Sequence, residues 1–165
     1  MLRPILLMCV GLCAASSVAA AQASVHVESA NLHGPRVLEE QTAAAAVRDY
    51  LASWESMRSA LEQNRADVLD RDFVGNAKDK IIDAIQQQSR LGIRSVYRDH
   101  AHDLQIVFYS PDGLSIQLTD KVDYEVQLLV HDTVLATQQQ QARYIVVLTP
   151  SEVRWKVRVL QASHE

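Results

Sequence analysis

Cysteine is nearly missing from this chain: there are two, Cys9 and Cys13, both close to its start. Around them Met1-Leu2-Arg3 give a short positive beginning, and Ile5 to Val10 with Leu12 an apolar stretch. Ala19-Ala20-Ala21 and Ala21-Gln22-Ala23 then offer small-x-small sites of the kind a signal peptidase cuts. The pattern predicts a secretory signal peptide over residues 1–21, cut after Ala21 or Ala23. It is too short for the roughly 20 apolar residues of a membrane-spanning helix. An uncleaved anchor is the competing reading. A lipid-modified cysteine is disfavoured, because Met8 and Leu12 stand where a small residue is needed. Cleavage leaves no thiol, no disulfide and no cysteine-based metal site. Stability then rests on an ordinary core, which roughly 140 residues suffice to build.

Other absences narrow the function. No second apolar run approaches membrane length, so no membrane span is expected in the mature chain, which is read as periplasmic or secreted. Sixteen Lys and Arg face twenty Asp and Glu, a net charge of −4 that becomes −5 when Arg3 leaves with the leader. No basic block stands out, so the long-range attraction that nucleic acid requires is missing. There is no Gly-rich phosphate loop, no Gly-x-Ser-x-Gly elbow and no His-Glu-x-x-His. No cofactor is implied.

What is present falls into two rhythms. Residues 22–41 carry Gly34-Pro35 and no sustained periodicity, and are read as a flexible tether in which Val25 and Val27 could form a short edge strand. The folded domain is placed at residues 42–162, opening with Thr42 as a helix N-cap. Val47, Tyr50, Leu51, Trp54, Met57 and Leu61 recur at three- and four-residue steps, an apolar stripe along a helix. A second helix is expected after Phe73-Val74-Gly75, capped by Asn76, buried through Ile81, Ile82 and Ile85 with Leu91 as a further candidate, and ended by Gly92 in a left-handed conformation.

Near Arg94 the period falls to two. Leu104, Ile106 and Phe108 alternate with their neighbours, and Ser110-Pro111-Asp112-Gly113 is a turn. Leu114, Ile116 and Leu118 form the returning strand, and Val122 through Val130 a further one. Strands with Tyr144, Val146 and Leu148, and then Trp155, Val157 and Val159, follow on either side of Thr149-Pro150. Helices first and then an antiparallel meander predict an α+β fold, helices packed on one face of a curved antiparallel sheet.

This layout resembles the nuclear-transport-factor-2-like (SnoaL-like, cystatin-like cone) superfamily. The likeness rests on Tyr50-Leu51-Ala52-Ser53-Trp54 in the opening helix, Phe73-Val74-Gly75-Asn76 before the second, and the closing pair Ala142 to Leu148 and Arg154 to Val157. The resemblance implies a cone-shaped α+β barrel whose open end can hold a pocket. It does not choose among isomerases, dehydratases, binding modules and dimerisation domains.

Tyr50, Trp54, Tyr124, Tyr144 and Trp155 are the polar-tipped aromatics on apolar faces, hence the candidate pocket residues. Rings in such places more often fill a core and send OH or NH to a backbone partner. No carboxylate or imidazole is read on the same faces, so a proton-transfer enzyme would lack its base. His100 and His102 would point the same way in a regular strand and could share a metal with Asp99, Asp103 or His131, but they read better as a polar lead-in to Leu104. Gln138 to Gln141 could form an exposed edge or loop that contacts a partner, but are read as a solvated hairpin extension. Arg154, Lys156 and Arg158 are read as a solvated strip pairing with Asp123 and Glu125. Leu129, Ile145 and Val147 are expected to leave an apolar outer face suited to a homodimer. The sequence thus favours an exported, non-catalytic domain that binds a small apolar ligand or another exported protein. The alternative is an isomerase or dehydratase using Tyr50 or Tyr124.

Overall fold

A computed structural model describes residues 22–34 and 36–163, so the signal-peptide reading of residues 1–21 lies outside it. Strand β1 (Ser24–Val27) comes first, followed by helix α1 (Glu40–Gln63), a single 3-10 turn at Asp67–Leu69 and helix α2 (Gly75–Leu91). Four long strands then succeed one another: β2 (Ile93–Tyr109), β3 (Ile116–Val130), β4 (Thr133–Pro150) and β5 (Trp155–Ser163). They form one sheet in the order β1-β2-β3-β4-β5. The β2 to β5 meander is antiparallel and β1 joins it parallel, so the sheet is mixed. The fold is α+β, two helices packed against one five-stranded mixed sheet.

The helices form where the stripe demanded them, because burying it is worth about 2 kcal/mol for each large side chain. Tyr50, Trp54, Met57 and Leu61 from α1 and Ile81 and Ile85 from α2 meet Leu104, Ile106, Ile116, Leu118, Val122, Val146, Leu148 and Val157 of the sheet in one core. The caps differ from expectation. Helix α1 starts at Glu40 after Glu39, and α2 at Gly75 after Val74, neither with a side-chain cap, so Thr42 and Asn76 lie inside their helices. Gly92 does end α2 at φ 66°. Asn64 closes α1 at φ 51° and donates Nδ2 to the Ile93 carbonyl at 2.8 Å. Gln88 is buried and donates to Asn64 Oδ1 at 2.9 Å and to the Leu61 carbonyl at 3.1 Å, tying the helix ends together.

Ahead of α1, residues 24–34 run beside β2, with Val25 and Val27 in the short strand β1. Ser24–Val27 pair with Ala101–Leu104, and the amides of Glu28, Asn31 and His33 donate to Leu104, Ile106 and Val107. Arg36 reaches the Pro111 carbonyl at 2.8 Å and lies 4.8 Å over the Tyr109 ring. Between β3 and β4, His131 and Asp132 take positive φ of 45° and 66°, the geometry a two-residue hairpin turn requires.

Two further expectations are corrected. Leu129 is buried and Ile145 and Val147 are half-buried, so they present no open apolar face. The basic strip of β5 lies beside β4, away from β3, and cannot reach Asp123 or Glu125. Arg154 pairs with Asp72 at 2.8 Å, and Lys156 donates to the Asp70 carbonyl at 2.9 Å.

Candidate functional site

A β-bulge makes the site. The β2–β3 register runs Asp99↔Tyr124 and then Ala101↔Asp123, leaving His100 as the extra residue. An extra residue reverses the alternation of a strand. Ser95, Tyr97 and Asp99 therefore share the inner face before the bulge, and His102, Leu104 and Ile106 share it afterwards. His100 is exposed while His102 is 3% exposed, so the two histidines are parted, and Asp99 takes the place beside His102 that His100 was expected to hold. Among the described residues no set of three ligand side chains is arranged for a metal ion.

His102 sits between two carboxylates. Its Nδ1 is 2.7 Å from Asp120 Oδ2, and its Nε2 is 3.8 Å from Asp99 Oδ2. Tyr50 donates its hydroxyl to the same Asp120 Oδ2 at 2.7 Å, linking α1 to β3. Arg58 of α1 approaches Asp99 Oδ2 with Nη1 at 2.9 Å and also pairs with Glu55. Trp54 stands edge-on to the imidazole, ring centres 5.2 Å apart.

These contacts set the charges. Burial opposes protonation of His102, but the hydrogen bonds and fields of Asp120 and Asp99 outweigh it and push its pKa up to about 9. Burial likewise raises Asp99, yet His102, Trp54 and Arg58 together hold it below the usual carboxylate range. Burial and the neighbouring Asp120 carboxylate carry the Tyr50 phenol well above its ordinary value. Tyr144 is also raised, by burial and then by Tyr124. At neutral pH His102 is an imidazolium held between Asp99 and Asp120, with the neutral Tyr50 phenol behind it.

Beside the clamp lies a cleft of about 390 Å³ walled by Leu51, Trp54, Glu55, Arg58, Asp99 and His102, and flanked by Gln22, Ala23 and Val25. Three polar atoms in this wall are buried without a hydrogen-bond partner: Trp54 Nε1, Arg58 Nε and Asp99 Oδ1. Trp54 Nε1 is near enough to Asp99 to lower that carboxyl, but forms no well-aligned bond with it. Two donors and an acceptor left unpaired cost free energy unless something meets them.

Of the five aromatics expected in a pocket, Trp54 lines this cleft, Tyr124 and Tyr144 line another depression, Tyr50 lies buried and Trp155 stands apart. Tyr50 is buried beneath Trp54, which contacts Tyr144 at 5.4 Å between ring centres. Tyr124 donates to Gln140 Oε1 at 2.9 Å, and with Tyr144 lines a separate depression of about 470 Å³ containing none of the unpartnered atoms above. Trp155 lies at the far end of β5, its amide donating to Asp49 Oδ2 at 2.9 Å.

The absence of a carboxylate or imidazole from these faces is overturned by Asp120, Asp99 and His102. Asp120 was legible: Leu118, Asp120, Val122 and Tyr124 alternate without interruption, and the error was to end a strand at Leu118. Asp99 and His102 were not, because a regular strand puts residues three apart on opposite faces.

No protein-family model matches this chain, and no curated protein sequence matches it. Solved structures do. The intermembrane-space region of the chloroplast protein ARC6 superposes with a TM-score of 0.64 at 18% identity, covering 79% of this chain and 100% of that one. A periplasmic fragment of TraM gives 0.52 at 13% identity, over 73% of this chain and 98% of that one. A candidate dehydratase of the NTF2-like family from Streptomyces avermitilis gives 0.48 at 11% identity, over 73% and 97%. Identities this low speak to fold alone.

Proposed function

We propose that this chain is an exported, non-catalytic binding domain that receives a polar segment of another exported protein in the cleft beside His102. One observation carries the reading: Trp54 Nε1, Arg58 Nε and Asp99 Oδ1 are buried in the cleft wall with no partner. Two donors and one acceptor suit a peptide backbone, whose amide offers both functions. The clamp argues against catalysis. A general base must be free to take a proton near neutral pH, whereas His102 already holds one between Asp99 and Asp120. Export rests on the leader-like residues 1–21. It is in keeping with the settings of two folds of this shape, the intermembrane-space region of ARC6 and the periplasmic fragment of TraM.

The test is site-specific photo-crosslinking in the producing cell. A photoreactive residue at Leu51, in the cleft wall, is expected to yield a discrete adduct of protein mass, and the same residue at Leu91, exposed at the end of α2, is not. No adduct at Leu51, with a small molecule retained in native mass spectrometry, would replace protein binding by small-ligand binding.

A second reading, an isomerase or dehydratase, is favoured by a protonated His102 among the residues that line the cleft. In it Tyr50 would steady Asp120 through their 2.7 Å hydrogen bond. It predicts turnover abolished by His102→Gln, and binding alone, without turnover, would dismiss it.

A further inference from the structure

The sheet has four stretches of outer edge among the described residues, and three are guarded. Strand β1 is four residues long, too short to template a partner. The part of β2 that β1 leaves uncovered, Ile93 to His100, carries Arg94, Arg98 and Asp99. Strand β5 carries Lys156 and Arg158 and is bridged at Val157 by Phe73. The fourth is the first half of β4. Strand β5 pairs with β4 only from Arg143 onward, and no described residue bonds to the outer edge of β4 before it. Residues 136–141 are exposed, and the stretch from Ala136 to Ala142 contains no charge, no proline and no glycine. Such an edge presents unpaired backbone donors and acceptors with nothing to repel a second strand.

We propose that this edge pairs antiparallel with the same segment of a second copy of this chain, joining two sheets into one. Both ends of the window are set. A bulge at Leu135, where Ala136↔Leu128 gives way to Val134↔Leu129, interrupts the edge on one side, and β5 closes it at Arg143 on the other. A two-fold axis normal to the sheet keeps each residue on its own face. Within seven residues it centres on Gln139. Gln138 then lies opposite Gln140 of the second copy, Thr137 opposite Gln141 and Ala136 opposite Ala142. Amides both donate and accept, so the Gln pairs are self-complementary, and no like charges meet. The glutamines are already ordered: Gln139 donates to Glu125 at 2.8 Å, Gln141 to Asp123 at 2.7 Å and Gln140 to Gln138 at 2.8 Å. A foreign strand would also find backbone partners here, but only a second copy meets these side chains in matched order.

Sedimentation equilibrium of the exported chain is expected to show a monomer–dimer equilibrium. Gln139→Lys places two ammonium groups face to face at the axis and should weaken it at least about tenfold, with an unchanged circular dichroism spectrum. Gln139→Cys, the only thiol in a chain cut after Ala21 or Ala23, should oxidise to a covalent dimer, whereas Gln117→Cys on the outer sheet face should not. A strict monomer overturns the proposal, as does a dimer unaffected by Gln139→Lys, or one in which the two cysteine variants cross-link equally. The cleft reading stands or falls separately, on Leu51.

Discussion

At the scale of single residues, buried carboxylates of this chain are tied to named donors, and removing either side leaves the other unpaired. Asp72 is fully buried and accepts from Ser56, from Arg71 Nε at 2.9 Å and from Arg154 Nη1 at 2.8 Å. It gathers α1, the loop before α2 and the start of β5 at one point. Asp72→Ala strands two guanidinium groups and should cost of the order of 3 kcal/mol, read as a fall in the urea midpoint at constant slope. Tyr50→Phe is milder. It removes one donor to Asp120 and keeps the ring, so a loss of about 1–2 kcal/mol is expected. A loss above that would mean the phenol holds more than this carboxylate.

At the scale of elements, regular repeats were legible and irregularities were not. The stripe from Val47 to Leu61 and the alternation from Ile116 to Tyr124 follow from the two side-chain periods, whereas a second bulge, at Val107, puts Tyr109 and not Phe108 on the face of Ile106, and Leu114 lies exposed before β3. The bulge at His100 leaves no such mark. It is fixed by pairing with β3, a long-range fact, and it alone brings Asp99 onto the face of His102. The glutamine run alone does not decide between a partner-contacting edge and a solvated hairpin extension, because a free edge is visible only once the neighbouring strand is known to stop at Arg143. Two expectations test the bulge. His100→Ala, an exposed change, should alter stability by less than about 0.5 kcal/mol. Deleting His100 removes the extra residue and leaves Asp99 and His102 two apart in a regular strand, still on one face, so the ion pair should survive and thermal unfolding should change by less than about 1 kcal/mol. A loss several times larger would show that the pair needs the bulge itself and not only the shared face. Gly92→Ala, at φ 66°, should cost about 1 kcal/mol by the same measurement.

At the scale of the whole molecule, the clamp links stability to pH. A histidine whose folded pKa is raised stabilises the fold fully below its unfolded value, 6.5, and loses that contribution as pH rises through about 9. The stabilisation at stake is of the order of 3 kcal/mol, so alkaline unfolding should begin above neutrality and flatten in His102→Gln. On the acid side Asp99 and Asp72 are held below 3.8. Burial works against ionisation in both, and their donors overcome it. Their contribution is full above that value and disappears as pH falls through their depressed ones. In the proposed reading the same clamp keeps His102 from serving as a general base near neutrality, because a protonated imidazole has no lone pair to take a proton. Nuclear magnetic resonance titration of the His102 ring measures this directly. The ring should remain protonated past neutrality and titrate near 9. A midpoint at or below 6.5 would mean a neutral, available imidazole facing the cleft, and would contradict the account.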